Sequence, residues 1–184
     1  MRARLLCLTG VGLLAVAGCG DGGEEAPPDQ VRVPPVVQVP AASAGGACQL
    51  LDYSTIEETT GVRFDVSAAS QHSTTQTCQV RSEAAAHPDL LLSVTTTKAN
   101  VETFTEEMAP SGSTSVGGLG KAAYRLTRAP AKGHGAAVEI GWLTGEGRML
   151  SLRYTLAADG DRATADAFAE KLVTMAKRLD VDRL

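Results

Sequence analysis

The sequence predicts an α+β domain: an antiparallel β-sheet of about six strands packed by two or three helices, preceded by a signal peptide and a disordered tether. Three observations predict it. A charged fraction of 21% beside a hydrophobic fraction of 43% is that of a globular chain. Segments with an apolar residue at every second position recur between residues 62 and 156, joined by short polar turns, and strands so joined pair antiparallel. Two longer segments carry apolar residues at helical spacing, and such helices supply the cover that one face of an antiparallel sheet needs.

The elements follow in chain order. Arg2 and Arg4 form a basic start, and Leu5 to Val16 is an apolar run of signal-peptide length, too short for a permanent membrane span. It ends in Val16-Ala17-Gly18-Cys19, which looks like a bacterial lipobox. The small Ala17 and Gly18 fit a narrow peptidase cleft, and the Cys19 thiol is the nucleophile that takes up a diacylglyceryl group. The alternative is an ordinary secretory signal with an incidental cysteine. Gly20-Asp21-Gly22-Gly23-Glu24-Glu25 follows with no stop-transfer lysine or arginine. Residues 1–18 therefore read as the signal peptide, and Cys19 as the lipidated first residue of a chain held to the membrane by its acyl groups.

Residues 19–46 read as that lipidated cysteine plus a flexible tether. Pro27, Pro28, Pro34, Pro35 and Pro40 lie here among small and acidic residues, a composition that buries no core and stays extended. At about 3.1 Å per residue the tether reaches at most roughly 80 Å. The valine run 31–39 has a second reading, a strand added to a partner's sheet edge. The single domain is expected over 47–184, long enough for one hydrophobic core.

Cysteine usage agrees with export. Of four cysteines, Cys7 leaves with the signal peptide and Cys19 takes the lipid, so Cys48 and Cys78 remain for a structural disulfide in an oxidising setting. A metal or redox role lacks its signature, since no CxxC occurs and no histidine stands at ligand spacing from either thiol.

Within the domain, Ser54 with Glu57 has a capping-box spacing, and Gly61 stops that first helix. Val62, Phe64 and Val66 alternate as a strand, 67–76 reads as a polar loop, and Cys78-Gln79-Val80-Arg81 alternates again. Leu90 to Thr97 is strand-like. Val101, Phe104 and Met108 mark a helix from about Asn100 to Met108 that Pro110 ends. Ala122-Tyr124-Leu126, Val138-Ile140-Trp142 and Leu150-Leu152-Tyr154-Leu156 alternate in turn, with Thr144-Gly145-Glu146-Gly147 as a hairpin turn. The last helix, about 161–179, carries Phe168, Leu172, Met175 and Leu179 in one apolar stripe, which predicts a core face.

The lipobox, the Pro-rich spacer, Cys48-Gln49-Leu50-Leu51-Asp52 opening a helix, Cys78, and Gly118-Leu119-Gly120-Lys121-Ala122-Ala123-Tyr124 before a strand occur in that order. Over about 48–180 this order resembles a family of actinobacterial lipoproteins with an uncharacterised extracytoplasmic domain. The resemblance implies an envelope location and an α+β fold, and carries no activity with it. The family more often has an acidic residue where this chain has Lys121, so no role carries over to that position.

The search for chemistry yields no catalytic residue, no metal site and no cofactor. HExxH, GxSxG and a Walker loop do not occur. Gly117-Gly118-Leu119-Gly120 precedes a strand rather than a helix, so it reads as a turn and not a phosphate cradle. His72, His87 and His134 sit beside Ser, Pro or Gly and read as solvated loop residues. Glu57-Glu58 and Glu106-Glu107 read as solvated helix faces. Nucleic acid is excluded as a partner by the net charge of −4 and the 4% aromatic content.

Lys121, Arg125, Arg128, Lys132, Arg148 and Arg153 have two readings: contacts to an anionic surface such as phospholipid or wall polymer, or ordinary solvated strand charges. The expected function is a non-catalytic binding or interaction module, tethered to the membrane on its extracytoplasmic side, whose partner is an envelope protein or an anionic envelope component. The alternative is a carrier or chaperone for a small apolar, lipid-like ligand, favoured by the small-residue run 122–137.

Overall fold

The computed structural model describes residues 39–184. The expected signal peptide, the lipidation at Cys19 and the tether up to residue 38 lie outside the described residues. Seven strands make one antiparallel sheet: β1 (Val66–His72), β2 (Thr75–Ser82), β3 (Ala85–Thr96), β4 (Thr114–Ser115), β5 (Ala122–Arg128), β6 (Ala137–Leu143) and β7 (Arg148–Thr155), in the order β1-β2-β3-β7-β6-β5-β4. Two meanders thus meet through their last strands, β3 and β7, paired from Asp89↔Thr155 to Thr96↔Arg148. The helices are α1 (Tyr53–Thr60), α2 (Val101–Thr103, continued by a π-helical turn at Phe104–Met108) and α3 (Arg162–Arg178). The α+β class is as the sequence predicts. The seventh strand, β4, is two residues long and gives no periodicity to read.

Period-two alternation sorts the strand residues between two faces. On the inner face Cys78 and Val80, Leu90, Leu92 and Val94, Leu150, Leu152 and Tyr154, and Val138, Ile140 and Trp142 meet across the registers. All are buried, and α3 closes over them with Phe168, Leu172, Met175 and Ala176. The stripe read from the sequence is therefore core, with Leu179 half-buried at its end. Asp161 caps α3 by accepting from the Thr164 N–H at 2.8 Å.

The disulfide Cys48–Cys78 joins a 3-10 turn (Gly46–Leu50) to the middle of β2, with its Cα atoms 4.9 Å apart. It is inside the usual window of about 4.4–6.8 Å. Packing begins before the boundary expected at residue 46. Ala41 is buried, and its 3-10 turn lies against β1, where Ser67 Oγ donates to the Ala41 carbonyl.

Four local expectations are corrected. The cap of α1 is Asp52, not Ser54: its carboxylate accepts from the Thr55 N–H at 3.2 Å and from the Ser54 hydroxyl, so Ser54 serves the cap as a donor. Those hydrogen bonds, the Ser54 hydroxyl first, hold the Asp52 carboxyl below the usual carboxylate range. Val62 to Asp65 is extended but not a strand of the sheet: the Val62 N–H donates to Thr60 Oγ1 at 3.0 Å, the Asp65 N–H donates to the Arg81 carbonyl at 3.3 Å, and Phe64 is buried. The polar segment 67–76 is not a loop. It is the β1–β2 hairpin, turning at Ser73 with φ +52°. Edge strands are held by backbone pairing and tolerate Ser, Thr and Gln on both sides, so hydropathy does not reveal them. Finally β3 extends back through Pro88, where the β2–β3 register shifts between Arg81 and Ser82 and a missing N–H is accommodated.

Candidate functional site

The outer face of the sheet is covered over only part of its area. The π-helical turn sets Phe104 against Tyr124 and Leu143, with Met108, Leu126 and Met149 around them. Tyr124 and Phe104 stack at 5.8 Å between ring centroids. The Tyr124 ring lies over Gly141, where a Cβ would come within 2.3 Å of it, and its hydroxyl donates to Glu139 Oε1 at 2.8 Å. Burial, then Glu139, raise the Tyr124 pKa well above the ordinary phenol value. On the remainder of this face stand Thr75, Thr77 and Gln79 of β2, Asp89, Leu91, Ser93 and Thr95 of β3, and Ser151, Arg153 and Thr155 of β7, all polar but Leu91.

At one end of that polar area lies a cleft of about 440 Å³, lined by Gln79, His87, Asp89, Arg128, His134 and Arg153 among others. Strand alternation puts Asp89 and His87 there: both belong to the outward series of β3. The Ala131–His134 turn, closed by two mutual backbone hydrogen bonds of 3.2 Å, brings His134 over the same spot. The two imidazole rings lie 5.3 Å apart between centroids, tilted by 60° to each other. His87 Nδ1 lies 2.9 Å from Asp89 Oδ1, and Gln79 Nε2 donates to Asp89 Oδ2 at 3.1 Å. Asp89 is only 3% exposed, and each of its oxygens already accepts a hydrogen bond. His134 Nδ1 lies 2.7 Å from the Gly135 carbonyl.

Arg153 Nε is buried without a hydrogen-bond partner. Arg128, half-exposed at the rim, gives one N–H to Glu139 at 3.3 Å. Among the described residues no group of three or more His, Cys, Asp and Glu side chains could hold a metal ion.

The six basic residues read from the sequence are divided. Arg128 and Arg153 line the cleft, and Lys132 stands exposed in the turn beside it. Arg125 points to the inner face, where it pairs with Glu170 of α3 at 2.8 Å. Lys121 and Arg148 sit at the opposite end of the strands. Arg148 donates to the carbonyls of Val181 and Leu184 and pairs with Glu146 at 3.5 Å, so it braces the last turn of the chain. His72 ends β1, exposed. Gly117 to Gly120 is a turn, with Gly118 and Gly120 at positive φ, leading into β5. Glu58 pairs with Arg178 at 3.7 Å, and Glu57, Glu106 and Glu107 are exposed.

Sequence reasoning missed Gln79 and Asp89 and placed His87 and His134 in solvent. The signal for His87 and Asp89 was the alternation His87, Asp89, Leu91, Ser93, Thr95, hidden because Pro88 looks like a strand boundary. No sequence signal pairs His87 with His134, since 47 positions separate them and a turn brings them together. Comparisons with protein families, with curated proteins and with solved structures find no match to this chain.

Proposed function

We propose that the chain is a membrane-anchored extracytoplasmic lipoprotein, lipidated at Cys19, that acts as a non-catalytic binding module in the cell envelope through the outer face of its sheet. One observation carries the reading. The inner face is sealed by α3, whereas the outer face is left with a broad polar area and a cleft among charged side chains. Antiparallel sheets readily expose one polar face to water. This one adds a buried carboxylate, two adjacent imidazoles and an Arg153 Nε–H without a hydrogen-bond partner. The lipobox residues and the Cys48–Cys78 bond, suited to an oxidising compartment, support the location. The resemblance to the actinobacterial lipoproteins belongs to the same proposal.

The carrier alternative needs room between sheet and helix. That space is filled: Leu92, Ile140, Leu150, Leu152 and Leu172 have no exposed surface.

The test uses the lipidated protein in intact envelopes, with a photoreactive side chain at Ser93 on the outer face or at Lys171 on α3. Adducts from position 93 and not from 171 are expected, and the reverse pattern would place binding on α3. In the same cells Cys19→Ala should yield an uncleaved or freely secreted form. A processed, acylated Cys19→Ala product would remove the anchor from the proposal.

A further inference from the structure

We infer that the cleft between β3, β7 and the Ala131–His134 turn binds a polyol phosphate, a phosphate ester whose neighbouring carbons carry hydroxyls; this rests on the outer face being the binding face. The argument starts from Arg153. A buried N–H with no acceptor carries a desolvation cost that an incoming acceptor relieves. Arg153 is fixed on a central strand and lines the cleft, and a guanidinium offers a planar fork that fits two oxygens of a phosphate or carboxylate. Arg128 adds a second cation at the rim, only one of its N–H groups being engaged by Glu139.

The carboxylate that lines the cleft does not compete for this role. Asp89 is buried, and its oxygens accept from His87 and Gln79. Anion recognition by two arginines is therefore left open to a ligand.

The imidazoles narrow the ligand class. A carbonyl oxygen only accepts, so the Gly135 carbonyl assigns the proton of His134 to Nδ1. Beside the Asp89 carboxylate oxygen at 2.9 Å, His87 Nδ1 is placed to donate in the same way. With the single ring proton on Nδ1, Nε2 of each imidazole is an acceptor. The cleft thus offers guanidinium donors and two imidazole acceptors within one space. Inorganic phosphate offers the imidazole acceptors only its own P–OH, and an uncharged polyol offers the guanidinium groups hydroxyl oxygens without charge. A phosphate ester flanked by hydroxyls uses both the charged donors and the acceptors. About 440 Å³ is within the roughly 300–1,000 Å³ of small-molecule sites.

Calorimetry on the full chain in a non-ionic detergent tests this, with glycerol 3-phosphate, inorganic phosphate and glycerol as titrants. Saturable binding of glycerol 3-phosphate, at least tenfold tighter than inorganic phosphate and without detectable binding of glycerol, is expected. Arg153→Gln should weaken it at least tenfold. Arg125→Gln removes the same charge from the other face and should leave it within about twofold. His134→Ala should bring the two phosphates to within about twofold of each other. If Arg153→Gln does not unfold cooperatively, Arg128→Gln carries the same test. No glycerol 3-phosphate binding at millimolar concentration, or equal weakening by Arg125→Gln and Arg153→Gln, overturns the inference. Micelles doped with phosphatidylglycerol separate the sources. Competition with glycerol 3-phosphate supports the site with a lipid headgroup as ligand, and its absence supports the site with a soluble or polymeric ester. Crosslinking from Ser93 that persists without any phosphate binding overturns the ligand alone and leaves the binding face. Loss of both overturns both.

Discussion

Each face of the sheet carries one tyrosine stacked on one phenylalanine, and the surroundings of the two pairs differ. On the inner face Tyr154 and Phe168 stack at 4.6 Å, inside a layer where strand residues and α3 residues are buried together. On the outer face Tyr124 and Phe104 stack at 5.8 Å within a small cluster that ends at Met108 and Met149. Beyond that cluster the outer face is mostly polar, with Leu91 half-buried among polar neighbours. The amphipathic helix explains the difference. The seventeen residues of α3 present a long apolar stripe, whereas α2 and its π turn offer little beyond Phe104 and Met108. A sheet face is sealed only as far as its helix reaches, and here the unsealed part is where the charged cleft lies.

Five measurements break or sharpen that contrast. Leu172→Ala empties a fully buried site under α3 and should cost about 2–5 kcal/mol, read as a lowered midpoint in denaturant unfolding. An unchanged midpoint would mean that the inner face is not the stabilising one. Replacing Cys48 and Cys78 together by alanine reopens a loop of 30 residues at the β1–β2 end. On loop entropy this should lower stability by roughly 3–4 kcal/mol, visible also on adding reductant to the native chain.

Gly141→Ala probes the outer cluster. The new methyl meets the Tyr124 ring from below, where the ring cannot withdraw without giving up its bond to Glu139, and a cost of about 1–3 kcal/mol is expected. Ser93→Ala, on the polar part of the same face, should stay within about 0.5 kcal/mol. Similar values for these last two would erase the distinction between the covered and bare parts.

Alkaline titration compares the faces directly. Burial, and behind it the charge of Asp89, push the Tyr154 pKa up from 10.0 to about 12. Tyr124 is also raised. A raised phenol favours the folded state while it is neutral. Its contribution is complete below pH 10 and disappears as the pH climbs from about 10 through about 12. Phenolate absorbance from these two rings should therefore appear together with loss of near-ultraviolet circular dichroism. Phenolate formation by either ring in the still-folded chain would show that its face admits water.

Much of this was written in local sequence. The stripe of α3, the strands at 122–126, 138–142 and 150–156 and the stop at Gly61 follow from spacing, because each depends on the period of a single element. Hydropathy could not show the β1–β2 hairpin, because an edge pair is held by backbone hydrogen bonds that any side chain permits. The basic run was legible as composition but not as a surface. Alternation sends Arg125 and Arg128 to opposite faces, and the last turn of the chain occupies Arg148.

By itself the sequence determined the α+β class, the exposed-to-buried alternation and the pairing partners left for Cys48 and Cys78. Only the tertiary structure decided that α3 takes one face and leaves part of the other bare. It also decided that His87, Asp89, His134 and Arg153 share one cleft. The physical reason is range. Periodicity records which way a residue points within its own strand or helix, whereas the cleft depends on the β3–β7 register and on a turn folding back over it, contacts between residues dozens of positions apart.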